Sequence, residues 1–272
     1  MGLFVARDLR ASRVNLLMND FAAGLPSPLA FLGLSAVIAP NLGAERWSVA
    51  VLPVLHEVHA SEGRTKPEMV PKTKDGVRKF MPIETAEDMV GSVRISLLLD
   101  VPGTANEHDL RELLRGRRIA GGAIENETIA VEAVTPDGYA FGKLPRGYAM
   151  VPCAPPRSAL VASGDIDDLS RIADELFPAE REPGRGWLVP VAVGHRLLED
   201  PETATKRTGT RDPDIPHVFT EPAVGIAELV SVRNSRLSGL DGEGLQALLW
   251  RWHAESDWIV GHPNYHPANH GI

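Results

Sequence analysis

The sequence predicts an α+β fold built on an antiparallel sheet. Apolar, β-branched runs recur along the whole chain, and helix signals separate several of them. A third observation is the basic segment Ser61–Phe80, which lies between two of the central runs in a chain of 272 residues with a formal net charge of −8. Because this segment has no apolar stripe to bury, we predict a solvated hairpin that projects from the sheet towards a polyanion.

The first helix and the strand after it have clear local signals. Ser27 is a good N-cap, and Pro28 suits the first helical position. Apolar residues follow at helical spacing until Pro40, which we expect to end the helix. The run Trp47–His59 is apolar and β-branched and predicts a strand.

A second strand–helix–strand unit follows the basic segment. Ser92–Val101 and Thr128–Val134 predict strands, and Asn106 can cap a helix between them. A short strand near Leu3–Val5 or Arg13–Leu17 completes the order β-α-β-β-α-β. This is the ferredoxin-like, RNA-recognition-like arrangement, an antiparallel sheet with helices on one face. The basic hairpin, predicted at 61–85, lies between its two central strands.

The pattern continues to the end of the chain without an obvious linker, so we predict a single domain over residues 1–272. The later predicted strands are Gly147–Cys153, Gly186–Val193 and one within Val218–Val232. We also predict a helix capped by Asp165 and a mobile loop at 198–216. The last predicted helix is capped by Asp241, and its apolar stripe runs through Leu245, Leu248, Leu249 and Trp252.

Composition limits the class of protein. The single Cys153 excludes internal disulfides and a Cys-rich zinc site. No apolar run is long enough to span a bilayer, and charges interrupt the N-terminal stretch where a signal peptide needs its apolar centre. We therefore expect a cytoplasmic protein without a membrane partner. Arginine outnumbers lysine and suits phosphate contacts, but the net charge of −8 means that any RNA is bound locally.

Two other motifs combine charge with a backbone that a ligand can approach. Arg117-Arg118 precede Gly121-Gly122, and glycines allow close contact and offer N–H groups to phosphate. The same arginines could instead complement the C-terminal dipole of the preceding helix. Arg233-Asn234 follow a predicted strand.

Five short segments resemble one known family, in the same order and over nearly the whole chain. They are Gly24–Gly33, Arg118–Ile124, Gly186–Pro190 with Gly194, Val232–Asn234 and Leu249–Glu255. They resemble the family of the second Csy protein, the handle-binding subunit of the type I-F CRISPR surveillance (Cascade/Csy) complex.

The resemblance implies a fold of the RAMP superfamily in which a projecting hairpin, the thumb, wraps the 5′ handle of the CRISPR RNA. It also implies a non-catalytic subunit that caps this handle and contributes to RNA-guided binding of foreign DNA in antiviral defence. The implied partners are the CRISPR RNA, the backbone subunits, a large Csy subunit where the system has one, and target DNA within the assembled complex.

In such a subunit arginine and lysine supply affinity through phosphates, while polar groups fix the register of the RNA. The predicted phosphate-binding residues are Arg64, Lys66, Lys72 and Lys74 along the thumb, Arg117, Arg118, Gly121 and Gly122 after the second helix, and Ser27 at a helix N-terminus; the predicted base-contacting residues are Arg13, Asn15, Arg233 and Asn234.

Two catalytic alternatives stay open. A metal-independent endoribonuclease that processes CRISPR RNA needs a general base, usually histidine, and a metal enzyme needs clustered ligands. The chain has neither GxxxxGK[ST] nor GxSxG, so we expect no cofactor. The candidate general bases are His56, His59 and His253, and we expect His253 on the final helix. The candidate metal ligands are His262, His266 and His270, with Asp257 nearby. Pro263 and Pro267 forbid the helix that would align these three histidines.

Overall fold

The computed structural model describes residues 2–18, 23–61, 64–74, 77–134, 140–153, 161–162, 170, 173–180, 183–204, 207, 215, 217–254 and 257–262. For residues 64–74, 77–88 and 161–162 this description covers the backbone.

The first half of the chain alternates strands and helices in the predicted order. Two additional strand pairs interrupt it, one in the basic segment and one after the second helix. The elements are β1 (Gly2–Asn15), α1 (Pro28–Asn41), β2 (Ala50–Ala60), β3 (Arg64–Lys74), β4 (Val77–Asp88), β5 (Val90–Val101), α2 (Glu107–Leu114), β6 (Arg118–Ile119), β7 (Gly122–Ile124) and β8 (Ala130–Ala133).

The second half is mostly strand. Its elements are β9 (Tyr148–Pro152), β10 (Val161–Ala162), β11 (Trp187–Leu197), β12 (Thr220–Ser231), a 3-10 helix (Ser235–Leu237), α3 (Gly242–Gln246), β13 (Arg251–Ala254) and β14 (Trp258–His262).

The described strands form one large sheet and one small one, and every described pair is antiparallel. The large sheet runs β13-β14-β11-β12-β9-β2-β5-β1-β7-β6, with β8 on β1 and β10 on β12. Strands β3 and β4 pair with each other in a separate two-stranded sheet inserted between β2 and β5. The predicted α+β class with a large antiparallel sheet is therefore confirmed.

Two apolar layers cover the large sheet. Phe31 of α1 and Leu110 of α2 pack in one core with residues such as Ile95 of β5. On the opposite face, Phe141 and Leu245 pack against other strand residues. The prediction of helices on one face thus holds for α1 and α2, whereas α3 lies on the other face.

The sheet also closes back on itself through Trp250. The Val51 N–H donates to the Trp250 carbonyl at 3.0 Å, and the Trp250 N–H donates to the Val51 carbonyl at 2.8 Å. The indole of Trp250 is buried and donates from Nε1 to the Met150 carbonyl at 2.8 Å. Because Trp250 immediately precedes β13, this bridge joins one end of the strand order to β2 near its middle.

Two helix predictions were wrong in their ends. Pro40 lies inside the last turn of α1, which continues to Asn41 with Leu42 as its C-cap. Gly43, with φ 71°, lies in the turn that follows. Asp241 does cap α3, but that helix ends at Gln246, and Trp252 belongs to β13. Pairing of β13 with β14 replaces the helical continuation that the apolar stripe predicted.

Some predicted elements lie partly or wholly outside the described residues. The helix capped by Asp165 is described only at residue 170 and at 173–176, which are helical. The loop 198–216 is described in part. Among the residues that the structure describes, no helix combines the length and apolar character needed to cross a membrane.

Candidate nucleic-acid interface

The β3–β4 hairpin leaves the large sheet where β2 ends and β5 begins. Ala60 pairs with Gly91, and both the N–H and the hydroxyl of Ser61 donate to the Val90 carbonyl, at 2.8 and 2.6 Å. A Cβ on Gly91 would lie 2.3 Å from the His59 carbonyl oxygen, so this position accepts no side chain. These four residues, Ala60, Ser61, Val90 and Gly91, form the hairpin base.

The end of β1 lies directly beside the hairpin base. Asn15 pairs with Val90 and Val14 with Gly91, while Arg13 falls in a register shift between β1 and β5. Arg13 has φ 57°, which is uncommon for a residue with a side chain and typical of a bulge that re-aims one. Both Arg13 and Asn15 are exposed.

The turn between β6 and β7 is attached to the same end of β1. Ala120 and Gly121 form its two central positions with φ 46° and 85°, the positive values that a tight two-residue hairpin turn requires. The Asn15 N–H donates to the Ala120 carbonyl at 2.8 Å. A Cβ on Gly122 would lie 2.4 Å from the Ser12 carbonyl oxygen, so the close approach of β1 explains this glycine, whereas Gly121 is exposed.

Two arginines flank this turn. Arg117 is half-buried and donates from Nε to the Leu113 carbonyl at 3.0 Å. Arg118 is exposed and donates from one terminal nitrogen to the Gly121 carbonyl at 2.8 Å. Each of these bonds uses one of the five N–H donors of a guanidinium group. The charge of both groups therefore stays beside the turn.

The structure thus brings several predicted RNA-binding residues to one end of the sheet. We call Arg13, Asn15, Arg117, Arg118 and Gly121 the thumb-base cluster, because β1 pairing and the Asn15–Ala120 bond place them next to the hairpin base. Four further predicted cations lie on β3, where Arg64 pairs with Asp88, Lys66 with Ala86, Lys72 with Lys79 and Lys74 with Val77.

Other predicted site residues have internal roles away from this cluster. Ser27 caps α1, accepting from the Leu29 N–H at 3.1 Å and donating to the Ala192 carbonyl at 3.3 Å. Arg233 donates to the carbonyls of Phe141 and Leu144 at 3.0 and 2.6 Å and so fixes that segment against the sheet.

Asn234 follows β12, four strands away from β1 in the sheet order. Its Oδ1 accepts from the Arg236 N–H at 2.9 Å and caps the 3-10 helix. Arg233 and Asn234 are therefore not brought to the thumb-base cluster.

A polar pocket that was not predicted from the sequence lies beside Asn234. Glu228 of β12 is almost fully buried, and its carboxylate accepts from the Gly186 N–H at 2.6 Å and from two nitrogens of Arg236 at 2.5 and 3.1 Å. Burial acts to raise the pKa of Glu228, but the hydrogen bonds from Arg236 and Gly186 outweigh it and leave that pKa below its ordinary value. One feature of the sequence could have indicated this pocket, namely the carboxylate of Glu228 within the apolar run of β12.

The neighbouring thiol is not a nucleophile at neutral pH. Burial, followed by the nearby carboxylates of Glu228 and Glu175, raises the pKa of Cys153 to about 12. A thiol with that pKa stays protonated near pH 7.

Each candidate catalytic histidine contacts another group of the protein. His56 contacts the Arg146 carbonyl through Nδ1 at 3.0 Å and the Ser96 hydroxyl through Nε2 at 2.7 Å, and burial lowers its pKa. His59 is exposed, with Nε2 3.7 Å from Glu57. His253 lies on β13 rather than on the final helix, because this segment pairs with β14, and its Nε2 is 2.8 Å from the His262 carbonyl.

The described part of the chain contains no group of three histidine, cysteine or carboxylate side chains placed to hold a metal ion. His262 ends β14, while His266 and His270 lie outside the described residues.

Comparison with known protein families gives a match to part of the chain. The family model of the CRISPR-associated protein Cas_Csy2 matches residues 169–259, about one third of the 272 residues. The matched range contains three of the five segments on which the sequence resemblance rests. No curated protein matches the chain.

Proposed function

From the match to Cas_Csy2, which supports a type I-F Csy complex subunit of the Csy2 family, we propose that this chain binds and caps the 5′ handle of the CRISPR RNA without cutting it. In the assembled complex this role contributes to RNA-guided binding of foreign DNA in antiviral defence. Its proposed partners are the CRISPR RNA, the backbone subunits, a large Csy subunit where the system has one, and the target DNA.

The strand order supports an RNA-recognition-like, RAMP-type fold as part of this proposal. The strands β8, β1, β5 and β2 are neighbours in that order and all antiparallel. The helices α1 and α2 connect β1 to β2 and β5 to β8 and share one core. This is the order that a ferredoxin-like β-α-β-β-α-β unit produces, with the thumb inserted between its second and third strands along the chain, β2 and β5.

The observation that carries the proposal is the position of the thumb-base cluster. Exposed Arg13 and Arg118 lie beside the base of a hairpin whose first strand contains Arg64, Lys66, Lys72 and Lys74. A single-stranded RNA offers phosphates along its length, and guanidinium groups bind them with two parallel hydrogen bonds. A local concentration of cations reconciles RNA binding with a net charge of −8.

The state of His56 supports binding rather than cleavage. Its two ring nitrogens contact protein groups, and its lowered pKa results first from burial. A general base in RNA cleavage must reach the 2′-hydroxyl of the substrate within hydrogen-bond distance. His56 meets that requirement only after losing a contact to Arg146 or Ser96.

The proposal is tested with purified protein and two labelled RNAs, one with the repeat-derived 5′ handle and one with the handle scrambled. Fluorescence anisotropy should show handle-selective, salt-sensitive binding, and a denaturing gel without metal should show intact RNA. The variant Arg64→Glu with Lys66→Glu should bind the handle much more weakly while keeping the thermal midpoint of the wild type. Equal affinity for both RNAs would contradict handle recognition, and a shortened RNA that disappears with His56→Ala would establish the nuclease alternative.

A further inference from the structure

A pocket opens on the face of the sheet opposite α1, around the buried Glu228. It has a volume of about 430 Å³ and is formed by the segment before β11, by β12 and by the 3-10 helix. Pockets of about 300–1,000 Å³ hold ligands of the size of a drug or a nucleoside. The lining residues are Pro183, Gly184, Arg185, Glu228, Asn234, Ser235 and Arg236.

The charges around this pocket are balanced. Arg236 forms a two-point contact with Glu228, and Arg185 contacts Glu175 at 3.2 Å. Two cations therefore face two carboxylates, which favours a neutral polar ligand over a free phosphate. Glu228 accepts three hydrogen bonds, and a carboxylate has about four lone-pair positions, so its Oε2 can accept one N–H from a ligand.

The pocket combines hydrogen-bonding groups with an apolar neighbour. Pro183 is the apolar side chain of the lining, and Glu228, Arg185 and Arg236 supply its charged groups. Ser235 is exposed at the mouth of the pocket, and the Arg236 side chain is about half exposed. A proline ring together with guanidinium donors and a carboxylate acceptor suits a planar ring whose edge carries both donors and acceptors.

We propose that this pocket receives one unstacked nucleobase of the bound RNA. The inference rests on the proposed function and adds a base-specific site to it. Proteins read single-stranded RNA mainly through splayed bases, which they hydrogen-bond along their edges and stack against arginine or aromatic planes. Guanine presents N–H donors for the remaining acceptor position of Glu228, and its carbonyl and ring nitrogen can accept from the Arg236 N–H groups that do not bond Glu228.

An abasic scan of the handle RNA tests this inference. Each handle nucleotide is replaced in turn by an abasic one, and the dissociation constant is measured by anisotropy for the wild type and for Ser235→Phe. Phenylalanine at this position fills the mouth of the pocket and leaves the Glu228–Arg236 pair in place. At one position, loss of the base should weaken wild-type binding by about tenfold, as expected for one stacked and hydrogen-bonded base.

The pocket variant should make that position insensitive. Ser235→Phe should bind the intact handle about tenfold more weakly, and the abasic change should then cost it nothing further. Glu228→Gln, which keeps the shape of the side chain, should reduce the same sensitivity if Ser235→Phe does not fold. Ser238→Phe is the matched control, because Ser238 is an exposed serine on the same turn that does not line the pocket.

The possible outcomes separate the two proposals. If the RNA binds but every abasic effect is the same in the wild type and in both pocket variants, the pocket inference is overturned while handle binding stands. If the wild type binds no handle RNA, both the handle proposal and the pocket inference fail.

Discussion

Replacing Arg13 and Arg118 together with glutamine tests the thumb-base cluster through the salt dependence of RNA binding. Both side chains are exposed beside the hairpin base. Each phosphate contact removed from single-stranded RNA reduces the log–log salt slope by about 0.7, so two contacts change it by about 1.4. When the salt concentration rises from 50 to 200 mM, the fold-loss of affinity should therefore be about seven times larger for the wild type than for the double variant.

The assay is anisotropy of the labelled handle RNA over several salt concentrations, with Arg46→Gln as the control. Arg46 is an exposed arginine near the start of β2, whereas the hairpin base lies at the other end of that strand. The control should keep the wild-type slope, and both variants should keep the wild-type thermal midpoint. Parallel salt slopes for the wild type and the double variant would remove the thumb-base cluster from the RNA interface.

Three further predictions concern stability. Gly122→Ala should lower the free energy of unfolding by about 1–3 kcal/mol, because the added Cβ would meet the Ser12 carbonyl. Gly121→Ala should lower it by about 1 kcal/mol, because Gly121 has φ 85° but open space around it. Urea denaturation compares the two variants, and equal losses would refute the packing explanation. Asp100→Ala should lower the free energy of unfolding by about 3 kcal/mol or more, because Asp100 is buried and accepts from Arg251 at 2.6 Å. If adding Arg251→Leu recovers most of this loss, the unpaired Arg251 cation is its cause. No loss in Asp100→Ala would show that the ion pair does not stabilise the fold. Burial lowers the pKa of His56 below its ordinary 6.5, so the stability that neutral His56 contributes is complete above pH 6.5 and is lost as the pH falls through the folded-state pKa. Below pH 6.5 the thermal midpoint of His56→Gln should therefore fall less steeply with pH than that of the wild type. Identical pH profiles of the two proteins would contradict this assignment.

The elements that local chemistry determines were predictable from the sequence. Ser27, Asn106 and Asp241 all cap helices as expected, because a capping side chain bonds to backbone only two or three residues away. The first strand was harder to recognise. Bulges with positive φ at Asp8 and Arg13 interrupt the alternation of buried and exposed side chains along this strand. The sequence therefore predicted only a short strand, at one end or the other of the continuous strand Gly2–Asn15.

The candidate site was only partly predictable, because contacts distant in sequence assemble it. Arg13 and Gly121 were each recognised by residue type, but their proximity depends on the bond between Asn15 and Ala120. Arg233 shows the opposite problem. Its charge and its place after a strand indicated RNA, yet its guanidinium group is bonded to three backbone carbonyls that lie about 90 residues earlier in the chain. The pocket around Glu228 escaped notice because Arg185 and Arg236 come from distant segments.

The bridge between Val51 and Trp250 has a consequence for how the protein is made. The two partners are 199 positions apart, so β2 leaves the ribosome long before the residue that closes its edge has been synthesised. At about 5–20 residues per second, that interval lasts roughly 10–40 s. During this time the nascent chain presents an open strand edge, which is a site for chaperone capture or mispairing. Final closure of the large sheet is therefore delayed until Trp250 has been synthesised.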